Sequence, residues 1–219
     1  MVSLPSSTRA PEYAYNSYDS QVIVPRGMSA RQARKWADNE AIKVGRRSPY
    51  QPVPDGELAL VANDLLWHAA RLSTMPKAEV AHVWLSEPRF GVDAFSWLTS
   101  LKRDESMMTA VDAARYVISS DPLVGNPTTE VIELPAGPTA RTFAIRTSVF
   151  NNDVKDVRHL EYYLFPPNTP DILIAFHIEW DSPEDDAAFR EIADELMTSF
   201  TISSPKTVPL VPPTTSCPG

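Results

Sequence analysis

The chain contains a single cysteine, Cys217, among 219 residues. One thiol excludes an internal disulfide and any thiolate metal cluster, and it points to a reducing compartment. Glycine is also scarce: the seven glycines are scattered singly, which leaves no glycine-rich loop to cradle a phosphate with backbone amides. The sequence has no Gly-x-Ser-x-Gly elbow, no His-Glu-x-x-His and no internal repeat. No uninterrupted apolar run reaches the roughly 18 residues that a membrane span needs. The first twenty residues lack the basic start and apolar stretch of a secretory signal, so a cytoplasmic location is expected. Only two residues follow Cys217, so the prenylation pattern is not met either.

Proline, by contrast, is plentiful, with 21 residues. Pro205, Pro209, Pro212, Pro213 and Pro218 crowd residues 204–219, and residues 1–20 are rich in Ser, Tyr and Pro. Both ends therefore read as extended arms flanking one domain over 21–203. Tyr13, Tyr15 and Tyr18 in the first arm, and Val208, Leu210 and Val211 in the second, offer apolar contacts on backbone already biased toward extension. The 43% hydrophobic content suits one continuous core in a chain of this length.

The clearest local pattern runs from Arg158 to Ser203. Leu160, Tyr162 and Leu164 alternate with Glu161, Tyr163 and Phe165, and Ile172, Ile174, Phe176 and Ile178 alternate with Leu173, Ala175, His177 and Glu179. Period two predicts strands over 158–165 and 171–180. Pro166-Pro167-Asn168-Thr169-Pro170 between them is short of amide donors and rich in turn residues, so a hairpin is expected. Pairing even positions with even positions puts Leu160, Tyr162, Leu164, Ile172, Ile174 and Phe176 on one core face. Ser182 and Pro183 then open a helix over 183–199, with an inner stripe of Ala188, Phe189, Ile192, Ala193, Leu196, Met197 and Phe200.

Upstream, Ala30, Ala33, Trp36, Ala37, Ala41 and Val44 mark a helix over 29–44 that Gly45 is expected to stop. Leu58, Val61, Leu65, Ala69 and Leu72 mark a second helix after Pro54, and Met107, Val111 and Ala114 a third over 106–119. Strands are predicted over 79–86, 129–134 and 141–149, and over 94–102, where a short helix is the alternative. Two helices, two strands, a helix, four strands and a final helix make an α+β domain on a mainly antiparallel sheet of about six strands. Phe143 and Ile145 alternate with Ala144 and Arg146, and Leu173 and Ala175 lie on the face opposite the core, so that second face is only partly polar and a helix is expected to cover it.

The net charge of −8 is unevenly spread. Arg26, Arg31, Arg34, Lys35, Lys43, Arg46 and Arg47 gather near the start, and seven acids gather around the last helix. Asp38 and Glu40 interrupt the basic run and only Trp36 stands within it as a stacking residue, so nucleic acid is not an expected partner. His68 and His82, beside Trp67 and Trp84, read as satisfied core histidines, and the five tryptophans as core. Glu161, Tyr163, His177 and Glu179 are the candidate binding residues. His177 and Glu179 point to one side of their strand, and His159 and Glu161 can lie opposite. Two histidines and two carboxylates could hold a zinc-like ion, although such cross-strand groups on a partly wet sheet more often form polar pairs. No catalytic residue, resident metal or cofactor is expected.

Glu130-Val131-Ile132-Glu133-Leu134-Pro135-Ala136-Gly137, then Ala140-Arg141, the Tyr162 to Pro167 strand and the closing Ile192 to Phe200 helix together resemble uncharacterised actinobacterial proteins. Those proteins look like the PsbP-type α/β sandwich. The resemblance spans about Ala78 to Ser203 and rests on structural motifs. It implies an accessory or binding role and carries no catalytic residue onto this chain. The expected function is a non-enzymatic accessory or structural protein that binds a protein partner, or its own copies through the arms, within a larger assembly. A virion component is one form of that reading. The alternative is a small-molecule or metal-dependent enzyme using the Glu161, His177 and Glu179 face.

Overall fold

A computed structural model describes residues 12–14, 21–48, 52–75, 77–85, 92–104, 106–118, 123–150 and 153–203. The elements are β1 (Glu12–Ala14), β2 (Gln21–Ile23), α1 (Ala30–Arg47), α2 (Asp55–Ser73), β3 (Ala78–Leu85), β4 (Val92–Lys102), α3 (Ala110–Ile118), β5 (Thr128–Leu134), β6 (Gly137–Phe150), β7 (Asp153–Leu164), β8 (Ile172–Trp180), α4 (Asp186–Ser199) and β9 (Thr201–Ser203). Seven strands form one antiparallel sheet in the order β2-β3-β4-β8-β7-β6-β5. Helices pack against it, as an α+β sandwich requires.

The β7–β8 hairpin keeps even positions paired with even: Leu160 faces Ile178, Tyr162 faces Phe176 and Leu164 faces Ile174. These side chains, with Trp84, Leu98 and Trp180, meet Phe189, Ala193, Leu196 and Met197 of α4, and Phe200 beyond it, in the largest core cluster. Ala188 is exposed, so the α4 stripe is centred one position later than its spacing alone predicts. The helix is preceded by a single 3-10 turn over Pro183–Asp185, and Trp180 Nε1 donates to Asp186 Oδ1 at 2.8 Å where α4 begins.

The opposite sheet face is covered at two places. Ala37 and Ala41 of α1 and Val61, Leu65 and Leu72 of α2 pack on Ala81, Val83 and Phe95. Ala113 and Ala114 of α3 pack with Ala140, Tyr163, Leu173 and Ala175. The expected helix over the second face is thus three helices, parted by a strip of polar residues.

Several local expectations are corrected. Gly45 does not stop α1, which runs on to Arg47; it is buried, and a β-carbon there would come within 2.6 Å of Leu58 Cδ2. The glycine lets α1 and α2 approach. The helix begun at 106 on periodicity begins at Ala110, because Thr109 and Asp112 bond reciprocally across its first turn. Residues 92–102 are strand, not helix. The 135–138 connection is tighter than its composition suggests: Leu134 already pairs with Gly137, whose φ of 122° a side chain would resist. Two short strands were invisible in the pattern: β2, which extends the sheet, and β1, which pairs with β9 in a separate ribbon. Three residues of the expected N-terminal arm therefore pair with the end of the domain. The rest of residues 1–20 lies outside the described residues, as does the expected tail over 204–219.

Candidate functional site

Strand register sets up the polar strip. Glu161 faces His177 and His159 faces Glu179 across β7–β8, while Trp97 faces His177 and Phe95 faces Glu179 across β4–β8. Partners directly opposite in an antiparallel sheet share a face, so these six side chains lie together between the α2 and α3 contacts.

Glu161 is fully buried. Tyr163, also fully buried, donates its hydroxyl to Glu161 Oε2 at 2.7 Å, Arg146 Nη2 lies 2.8 Å from Oε1, and His177 Nδ1 lies 3.4 Å from the same oxygen. Burial pushes this carboxyl up, but His177, Arg146 and Tyr163 outweigh it and bring its pKa down to about 2. It is therefore an anion held by a cation and a phenol. The His177 ring stacks on Trp97 with centroids 4.9 Å apart and meets Tyr163 edge-on at 5.8 Å.

Glu179 is held from above the sheet. Arg71 of α2 donates to both of its oxygens, with Nη2 at 2.8 Å from Oε2. A bidentate fork of this kind fixes geometry as well as charge. The same guanidinium carbon lies 5.0 Å from the Phe95 centroid, 5.6 Å from Trp97 and 5.7 Å from Trp67, so three rings surround the cation. His159 is 3.9 Å from Glu179 Oε2 and neither ring nitrogen has a hydrogen-bond partner among the described residues. Burial lowers its pKa to about 4 against the pull of Glu179, so the ring is neutral at pH 7.

Beyond Glu179 the strip opens into a cleft of about 460 Å³ between α2 and the ends of β4, β7 and β8. Trp67, His68 and Phe95 form its wall, Glu179 borders it, and Asp64, Asp93, Lys155 and Asp181 stand among its lining. Lys155 bonds to Asp181 at 3.1 Å. Asp64 has no ion-pair partner among the described residues, and partial burial raises its pKa. His68 stacks on Phe95 at 4.8 Å and meets Trp67 edge-on at 4.7 Å, yet its Nδ1 has no hydrogen-bond partner. Burial first, and Arg71 second, lower its pKa to about 3.

The structure therefore brings Glu161, Tyr163 and His177 together, with Tyr163 hydrogen-bonded to Glu161 and His177 at ion-pair distance from it, and places Glu179 one step along the same face, in the charge of Arg71. Three expectations change. The face is not partly wet, since His177 is 8% and Glu179 6% exposed. Trp67 is not core but 40% exposed, and His68 is buried without being satisfied. A zinc-like site does not form: among the described residues no group of three or more His, Cys, Asp or Glu side chains is placed to hold a metal ion. The reason is electrostatic, because each carboxylate already has a guanidinium against it. Arg71, Arg146, Asp64 and Trp67 are the site residues that the sequence reading missed. The i, i+4 spacings of Asp64 with His68 and of Trp67 with Arg71 on one predicted helix were the available signal.

Among the described residues no helix is long and apolar enough to cross a membrane. No protein-family model matches the chain, and no curated protein matches it. Among solved structures the chain is similar to an actinobacterial protein, LpqN, described as involved in cell envelope biogenesis of Mycobacterium tuberculosis, at 10% identity and a TM-score of 0.44 over 90% of this chain and 87% of that one.

Proposed function

We propose that this is a non-enzymatic accessory protein that binds a protein partner within a larger assembly, and that the partner engages the cleft beside α2. One observation carries the reading. The carboxylates best placed for acid–base work are spent internally, Glu161 on Arg146 and Tyr163 and Glu179 on Arg71, while the cleft wall presents a half-exposed tryptophan. A general base must reach a substrate proton, and a fully buried carboxylate in an ion pair does not. A tryptophan at the edge of a cleft is the residue type that most often anchors a protein contact. The cleft also falls within the usual 300–1,000 Å³ of a binding pocket, room for one or two side chains of a partner.

Site-directed photo-crosslinking in the native host tests this. A benzoylphenylalanine at position 67 is expected to trap one defined protein. The same group at Glu191, exposed on α4 across the sheet, is expected not to. Equal trapping from both positions, or turnover by the unmodified chain in a hydrolase screen, would overturn the reading.

A further inference from the structure

The two ends of the sheet are finished differently. At one end β2 is three residues long, and a strand that short leaves little backbone unpaired. At the other end β5 runs for seven residues, Thr128-Thr129-Glu130-Val131-Ile132-Glu133-Leu134, paired to β6 in unbroken register and without proline, lysine or bulge. Those are the devices that ordinarily keep a sheet edge from pairing with another chain. Among the described residues no strand and no backbone hydrogen-bond partner stands on the outer side of β5. Register decides which groups face outward. Leu134 and Gly137 oppose each other across a two-residue connection, where the closing pair exchanges its hydrogen bonds. Bonded pairs alternate along an antiparallel ladder, so Thr128, Glu130 and Ile132 turn their backbone groups toward β6, and Thr129, Val131 and Glu133 turn theirs outward. At the centre of that edge Val131 is 59% exposed.

We propose that β5 pairs with β5 of a second copy of this chain, antiparallel about a two-fold axis centred on Val131, joining two seven-stranded sheets into one. An axis perpendicular to the sheet keeps each helix layer on its own side and therefore pairs odd positions with odd. Centred on Val131, the strands oppose Val131 to itself, Thr129 to Glu133 and Glu130 to Ile132. The outward backbone groups of Thr129, Val131 and Glu133 are then all used, and no acid faces an acid. Glu130 is already neutralised by Arg141, whose Nε and Nη2 lie 2.9 and 2.6 Å from its Oε1. Centred on Glu130, the pair would set that carboxylate against its own copy. Centred on Ile132, it would bring Pro135, which has no N–H to give, opposite Thr129. Self-complementarity in charge and in backbone groups selects a second copy over an unrelated extended segment, and the contact is isologous and closes at two. It goes beyond the binding role proposed above and leaves it untouched, since the cleft borders β4, β7 and β8, and β5 lies two strands beyond β7.

Sedimentation equilibrium of the full chain, in reducing buffer so that Cys217 cannot join copies, tests this. Pairing along one short edge is a small contact, so the expected dimer is weak and fills as concentration rises through roughly 10–500 μM. Val131→Pro removes an outward N–H that β6 does not use, and it should weaken association roughly tenfold or more. Val131→Lys keeps that N–H but sets an ammonium beside its own copy; it should weaken association too, and it serves in place of Val131→Pro if the proline lowers the unfolding midpoint. Thr129→Lys places an ammonium opposite Glu133 of the second copy and should tighten the dimer about two- to fivefold at low salt, a gain that lost folding does not produce. A chain that stays monomeric up to about 500 μM, a dimer unchanged by both Val131 substitutions, or a Thr129→Lys dimer no tighter than the parent would overturn the proposal.

Discussion

Removing the charge of Arg71 tests whether the polar strip is held by paired burial. Arg71 is 25% exposed in its side chain and Glu179 8%, so Arg71→Met would leave a carboxylate beneath α2 with His159 as its nearest ionisable neighbour. Breaking a buried pair from one side costs roughly 3–5 kcal/mol. Glu179 borders the cleft, where water can reach it once Arg71 is removed, and methionine keeps the stem that packs on the rings, so the expected cost is about 2–4 kcal/mol. Glu179→Gln alone should cost less, about 1–2 kcal/mol, because Arg71 is the more exposed partner and can turn toward the cleft. In the double variant neither charge remains, and the loss should fall to about 1 kcal/mol. Urea unfolding of the four proteins gives the cycle. A loss below about 0.5 kcal/mol in Arg71→Met, or losses that simply add, would show that the two groups do not depend on each other, contrary to the bidentate geometry.

Three further outcomes are expected. Stability should fall as pH drops from about 6.5 toward 4, because unfolded histidines take up protons in that window while His159, His82 and His68, with pKa values lowered to about 4, 4 and 3, do not. Each group contributes at most about 3 kcal/mol, and His159→Leu should flatten part of the slope in thermal melts taken at pH 4.5 and 7; an unchanged slope would contradict the burial argument. Ile174→Ala should cost about 2–5 kcal/mol in denaturant unfolding, since the side chain is fully buried against the α4 cluster; His177→Ala should cost at least about 1.5 kcal/mol, because it removes the ring between Trp97 and Tyr163. Gly45→Ala should lose about 1–3 kcal/mol by pressing on Leu58, and Leu58→Ala in the same chain should recover part of that loss; additive losses would mean that the helices do not meet there.

The strongest periodicities in the sequence gave the strongest agreement with the structure. β7, β8 and α4 were legible because one residue in two, then one in three or four, must be apolar to fill a shared core, and the hairpin register followed from the same rule. β1 and β2 were not, because three residues are too few to show a period and their pairing partners are distant in the chain. Glu161, His177 and Glu179 could be placed on one face from alternation alone. What neutralises them could not: Arg71 reaches Glu179 across 108 positions, and a contact at that separation leaves no local trace. Gly45 shows the opposite error, in which a sound local rule for helix ends yields to helix packing.

The binding role is tested most directly by the affinity of the chain for the protein trapped from position 67. Isothermal titration with the unmodified chain and with Trp67→Ala, each confirmed as folded by its unfolding midpoint, should show the variant weakened by about thirtyfold, the ~2 kcal/mol that marks an anchoring tryptophan. An unchanged affinity in a folded Trp67→Ala protein would contradict the account, because the partner would then be held without the residue that the cleft presents to it.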